Sequence, residues 1–242
     1  MKWRDMNIYS DKVRFRRSVF YALGFVGAIW FVKVVEYTTG SDFSSLGIFP
    51  RTLSGSIGIF ISPFIHGDVY HLFSNTFPLL ILGIGVFYFY PRVGIQVMFL
   101  IYFMTGFWVW VAAREAFHIG ASGIVYGMFA FLFTGGFIRK DRRTLSISFA
   151  LLFLYGTSMF SGLIPTEKSI SWESHLMGFF AGLFCAIYYR NENIVFIDKL
   201  DDVEKKNDNQ GQVNHSNTTG GQHVTYYYTF KPDEKSDLNI NK

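Results

Sequence analysis

Three stretches of this chain hold residue types that can cooperate in chemistry. Gly120-Ala121-Ser122-Gly123 sets a serine among small residues, where the backbone can come close to a neighbouring helix or a substrate. If Ser122 opens a helix, the unpaired N–H groups of that helix start favour negative charge. An oxyanion formed in acyl transfer needs such donors. His175 is followed by Gly178 and Gly182, at +3 and +7, on one helix face. That face can press closely on a partner helix, and an imidazole on it can serve a serine as base. The third stretch runs from His66 through Asp68 and His71 to Asn75. His71 and Asn75 are four apart, so both project from one helix face, and both can donate hydrogen bonds to a developing negative charge.

Each stretch also has a plainer reading. Gly123 and Gly127 form a GxxxG pair, a common helix-packing device in membranes. His175 can be structural, and His71 with Asn75 can hold a loop to a helix. His66, His71, His118 and His175 could share an external metal ion. The chain has no HExxH sequence, and a zinc peptidase would need a metal-bound water and a carboxylate base. Cys185, the single cysteine, lies in an apolar run and reads as inert packing.

The elements that would position these residues are membrane spans. Half of the 242 residues are hydrophobic, 19% are aromatic and only 17% are charged, against about 25% charged in soluble proteins. A span needs about 20 apolar residues. Six stretches qualify: 18–35, 71–90, 94–113, 122–138, 145–164 and 172–189. The net charge of +4 does not point to nucleic acid, because the basic residues sit between apolar runs rather than on one stripe. They follow the positive-inside rule instead. Lys2, Arg4, Lys12, Arg14, Arg16 and Arg17 precede the first span, Arg92 follows the second, Arg139, Lys140, Arg142 and Arg143 follow the fourth, and Arg190 follows the sixth. Both termini are therefore expected in the cytoplasm. Ser122, His175 and His71 then all fall near the external ends of spans that run inward, at similar depth. An ionisable or polar side chain in that setting is a functional hypothesis by default.

Together these residues resemble the rhomboid family of intramembrane serine proteases. The resemblance rests on Gly120-Ala121-Ser122-Gly123 with Tyr126, on His175 with Gly178 and Gly182, and on His66, His71 and Asn75 at the family's five- and four-residue spacing. Pro50-Arg51, with Gly55 and Gly58 after it, is similar to the family's first-loop pattern. The likeness covers about residues 18–190. It implies an all-α membrane protein, a six-transmembrane-helix rhomboid-like bundle. Ser122 would be the nucleophile and His175 its general base, as a dyad with no aspartate behind the imidazole. Tyr126 would pack on the imidazole. His71, Asn75 and the Ser122 backbone N–H would hold the oxyanion, His66 would support the loop into the site, and Gly178 and Gly182 would let the sixth helix approach the fourth. Substrates would be single-span membrane proteins cut near the external face of the bilayer, with no metal or organic cofactor. Many bacterial relatives carry a Trp-Arg pair in the first loop, and this loop has no tryptophan.

The expected organisation is a basic cytoplasmic arm over 1–17, a six-span catalytic domain over 18–190, and a polar, mostly disordered cytoplasmic tail over 191–242. A bacterial inner membrane is the expected location. Two other functions remain. One is a non-proteolytic binder or escort of membrane clients on the same scaffold. The other is a small transporter, which the apolar mid-span positions and the lack of repeated halves disfavour.

Overall fold

The computed structural model describes residues 11–165 and 171–192 of the chain. The expectations for 1–10 and for most of the tail, 193–242, lie outside the described residues. What is described is helical. The helix α1 spans Asp11–Thr39, α2 Leu53–Ser56, α3 Gly58–Ile61, α4 Val69–Phe89, α5 Gly94–Ala112, α6 Ser122–Arg139, α7 Arg142–Gly162 and α8 Trp172–Tyr188.

Four of these helices, α1, α4, α5 and α6, are long and apolar enough to cross a bilayer. The chain is a multi-pass membrane protein. α7 and α8 pack in the same bundle, with polar residues at their starts. Thr144, Ser146 and Ser148 occupy the start of α7, and Glu173, Ser174 and His175 the start of the 17-residue α8. α1 is longer than the stretch 18–35 that the apolar pattern marks. Its 29 residues reach about 43 Å, beyond an apolar layer of about 30 Å. The extra turns are polar and tied down: Asp11 pairs with Arg14 at 2.6 Å and accepts from Tyr88 Oη at 2.6 Å. Helix propensity and these local partners extend a helix past the point where apolar composition ends.

The elements begin and end where side-chain chemistry dictates. Asp68 caps α4 by accepting from the His71 N–H at 2.7 Å, and Tyr90-Pro91 stops it, since proline cannot continue the ladder. Lys140 adopts a left-handed conformation (φ 54°) after α6. Asp141 then caps α7, accepting from the N–H groups of Arg143 and Thr144. That tight turn makes α6 and α7 neighbours.

α6 is the most buried of the four spanning helices and packs against α4, α5, α7 and α8. Leu82, Val86, Ile101, Met128, Phe131 and Leu132 form the centre of the apolar core around it. Its closest partner is α8. A Cβ on Gly178 would overlap the Gly123 carbonyl, and one on Gly182 would overlap the Gly127 carbonyl. The small-residue face of α8 therefore lies directly on the GxxxG face of α6.

The segment between α1 and α4 is folded. It holds a 3-10 turn at Ser44–Leu46, the helices α2 and α3, and a second 3-10 turn at Ser62–Phe64. Ile48 exchanges two backbone hydrogen bonds with His118, at 3.0 and 2.9 Å. Arg51 Nη1 donates to the Ala113 carbonyl at 2.7 Å, and Trp110 Nε1 donates to the Thr52 carbonyl at 2.9 Å. A loop lacking its own tryptophan is thus seated by one from α5.

Candidate active site

Ser122 is the first residue of α6, so its own N–H and that of Gly123 have no intrahelical acceptor. His175 lies one turn into α8 and is buried. Its Nε2 stands 2.8 Å from Ser122 Oγ. Its Nδ1 stands 2.7 Å from the Gly162 carbonyl oxygen. A carbonyl can only accept, so the ring proton sits on Nδ1, and Nε2 is left with a lone pair facing the serine hydroxyl. The serine donates and the imidazole accepts.

Gly162 ends α7, where carbonyls lack helical partners, and His175 takes up one of them. A Cβ at Gly162 would stand 2.8 Å from His175 Nδ1 and 2.5 Å from the Tyr126 hydroxyl. The Tyr126 ring lies flat on the imidazole, with centroids 4.3 Å apart and planes 9° from parallel. Its hydroxyl donates to the Met159 carbonyl at 2.7 Å. α7 therefore steadies both rings through main-chain oxygens.

His71 and Asn75 face the same region from α4. Gly120 has φ of +100°, a conformation open to glycine, and an added Cβ there would come within 2.8 Å of His71 Nε2. The His71 ring is thus packed over the backbone that leads into Ser122. Asn75 is buried, and its Nδ2 donates to the His71 carbonyl at 2.9 Å. His66 is buried behind them. The Ala121 N–H donates to His66 Nε2 at 3.5 Å, and its ring meets that of His71 edge-on with centroids 5.0 Å apart. Burial, with the His71 imidazole next, pushes the His66 pKa down to about 3, so this ring stays neutral. Gly123 and Gly178 lie at the α6–α8 contact beside the pair, and Gly182 one turn further along.

Several supporting residues carry no motif in the sequence. Lys33 Nζ donates to the His66 and Gly67 carbonyls at 2.7 and 3.2 Å and pairs with the buried Glu36 at 3.1 Å. It pins the approach to α4 from α1. His118 Nδ1 is 2.6 Å from Ser171 Oγ, which is 2.6 Å from Ser174 Oγ, and His118 Nε2 is 3.0 Å from the Arg114 carbonyl. Arg114 pairs with the buried Glu173 at 3.4 Å. This polar chain fastens the start of α8 to the segment before Ser122. A lysine one turn from the end of an apolar helix was a signal available in the sequence, but the partners of His118 and the Gly162 carbonyl were not. Among the described residues, no group of three or more histidine, cysteine or acidic side chains is placed to hold a metal ion. His118 and His175 each have both ring nitrogens engaged within the protein.

A family model for the Rhomboid domain matches residues 54–192. An uncharacterized protein of Mycobacterium tuberculosis is 30% identical over 173 residues, covering 68% of this chain and 72% of its own. A Mycobacterium bovis protein matches to the same extent. A Mycobacterium leprae protein is 30% identical over 176 residues, 68% of each chain.

Proposed function

We propose that this chain, which belongs to the rhomboid family, is an intramembrane serine endopeptidase whose catalytic pair is Ser122 and His175. The observation that carries the reading is the 2.8 Å approach of His175 Nε2 to Ser122 Oγ, with Nδ1 fixed on the Gly162 carbonyl. Ser122 Oγ attacks the scissile carbonyl while its proton passes to His175 Nε2. The imidazolium then returns that proton to the leaving amine, and the acyl group stays on Ser122. Water, deprotonated by the same Nε2, releases it. The Gly162 carbonyl holds the Nδ1 proton throughout, the orienting part that a carboxylate plays in a triad. Tyr126 keeps the ring from rotating.

The tetrahedral oxyanion falls to three donors: the Ser122 backbone N–H, Asn75 Nδ2 and His71. Asn75 has a second N–H beyond the one given to the His71 carbonyl. His66, neutral and buried, fills the space behind His71 and holds the Ala121 N–H. Gly120, Gly123, Gly178 and Gly182 let the helices and the loop close in on the pair.

Six crossings place the basic residues 139–143 at one end of α6 and Ser122 at the other. The positive-inside rule then puts Ser122 near the external face with both termini cytoplasmic, as in a bacterial inner membrane. Substrates in this reading are single-span membrane proteins that enter from the bilayer and are cut near that face. The test is labelling of the purified protein by a fluorophosphonate probe, with Ser122→Ala and His175→Ala beside it. Labelling of wild type alone supports the proposal. A folded wild type that takes no label overturns it in favour of a client-binding protein without proteolysis.

A further inference from the structure

A groove of about 670 Å³ lies between α1 and α5. Its walls are α1, through Phe20, Gly24 and Ala28, and α5, through Met98 and Phe99; Gly83 of α4 and Met128 of α6 form its floor. One end is closed by Phe60 and Phe64 of the folded loop. Tyr102 Oη, donating to the Phe60 carbonyl at 2.5 Å, ties that loop down. The other end is lined by Tyr21 on α1, Phe87 on α4 and Ile95 on α5.

The sequence next to that end is cationic. Arg16 precedes Phe20 by four residues, one helical turn beyond it on the same face. Arg92 sits in the turn three residues before Ile95. Both arginines are exposed. No acidic residue occurs in 12–35 or 69–113, and Asp11 is already paired with Arg14 and Tyr88. We propose that an anionic glycerophospholipid binds here, one acyl chain in the groove and its phosphate between Arg16 and Arg92.

The chemistry selects that ligand. A lipid tail gains little by leaving other tails for an apolar groove, because both are equally apolar. The headgroup must therefore decide occupancy, and basic pockets between transmembrane helices are suited to anionic ones. The groove's upper wall is the loop whose Ser62 carbonyl accepts from the Gly120 N–H at 2.9 Å, so a bound chain also braces the segment leading into Ser122.

The test uses the full chain in detergent micelles doped with equal amounts of phosphatidylglycerol and phosphatidylcholine, read by native mass spectrometry. Wild type should retain phosphatidylglycerol preferentially, by roughly fivefold for each cation engaged. Gly24 lines the groove and an added Cβ there meets nothing within 4 Å, so Gly24→Leu should intrude on the acyl chain and lose the retained lipid. Arg16→Gln with Arg92→Gln should keep a lipid but lose most of the preference. Equal retention of the two lipids by wild type, or an unchanged preference in the double arginine variant, overturns the proposal. So does undiminished phosphatidylglycerol on a Gly24→Leu protein with wild-type helicity, and if that variant does not fold, the arginine pair decides. The readout is bound lipid mass, so it stands or falls separately from any proteolytic activity.

Discussion

At the scale of single residues, the reading depends on two atoms and what orients them. Ser122→Ala and His175→Ala should each remove detectable cleavage of a membrane substrate. The double variant should be no worse than either, because a nucleophile and its base act as a unit; kinetics of the three proteins side by side check this. Asn75→Ala should be milder, lowering kcat by about 10²–10³ with KM little changed, as for loss of one oxyanion donor. His66 adds a pH signature. Its pKa is about 3 when folded and about 6.5 in an unfolded chain. The unfolded state takes up a proton that the native ring refuses, so this contribution to stability is complete above about pH 6.5 and is lost as pH falls toward 3. Thermal unfolding in detergent across that range should show the loss, and His66→Phe should flatten it. Ser122, His175 and Tyr126 were legible in the sequence because they carry a motif. Gly162 was not, since its part is played by a backbone oxygen that any residue possesses.

At the scale of elements, the decisive contact is α6 on α8. The sequence offered two readings of Gly123 and Gly127, helix packing or a site beside a nucleophile. The structure joins them: these glycines are where α8 lands, and the landing brings His175 to Ser122. Gly178→Ala would drive a methyl into the Gly123 carbonyl. The expected result is a loss of about 1–3 kcal/mol, the usual cost of overpacking a tight contact, together with probe labelling slowed at least tenfold. Thermal unfolding and labelling rates on the same preparation measure both. Unchanged labelling would show that the helices can part without separating the pair. Helix positions could be read from apolar length, to within a few residues for α4, α5, α6 and α8. The start of α1 at Asp11 could not, because its first turns are held by an ion pair and a tyrosine rather than by apolar composition. Nor could the folded loop, whose α2 and α3 are too short to show a period and exist because Gly58 lets them sit on Gly47 and Ile48.

At the scale of the whole molecule, orientation in the bilayer decides which substrates can reach the site. Cys185 is buried and should stay silent to aqueous thiol reagents, so introduced cysteines can report sidedness. Arg142→Cys should be labelled from the cytoplasm only, and Tyr37→Cys, at the opposite end of the bundle, from outside only. Labelling of both from one side would refute the six-crossing arrangement. The charge distribution made this expectation legible, whereas the groove between α1 and α5 was invisible in sequence, because it arises from the separation of those helices rather than from any local pattern. One contact within the bundle has a bearing on inheritance. The oxygen that fixes the imidazole belongs to the main chain of Gly162, and no codon change can delete a carbonyl. Ser122 and His175 can each be erased by a single substitution, but their anchor can be lost only by displacing the end of α7. A lineage that keeps the helix packing therefore keeps the anchor, even after the serine itself is gone.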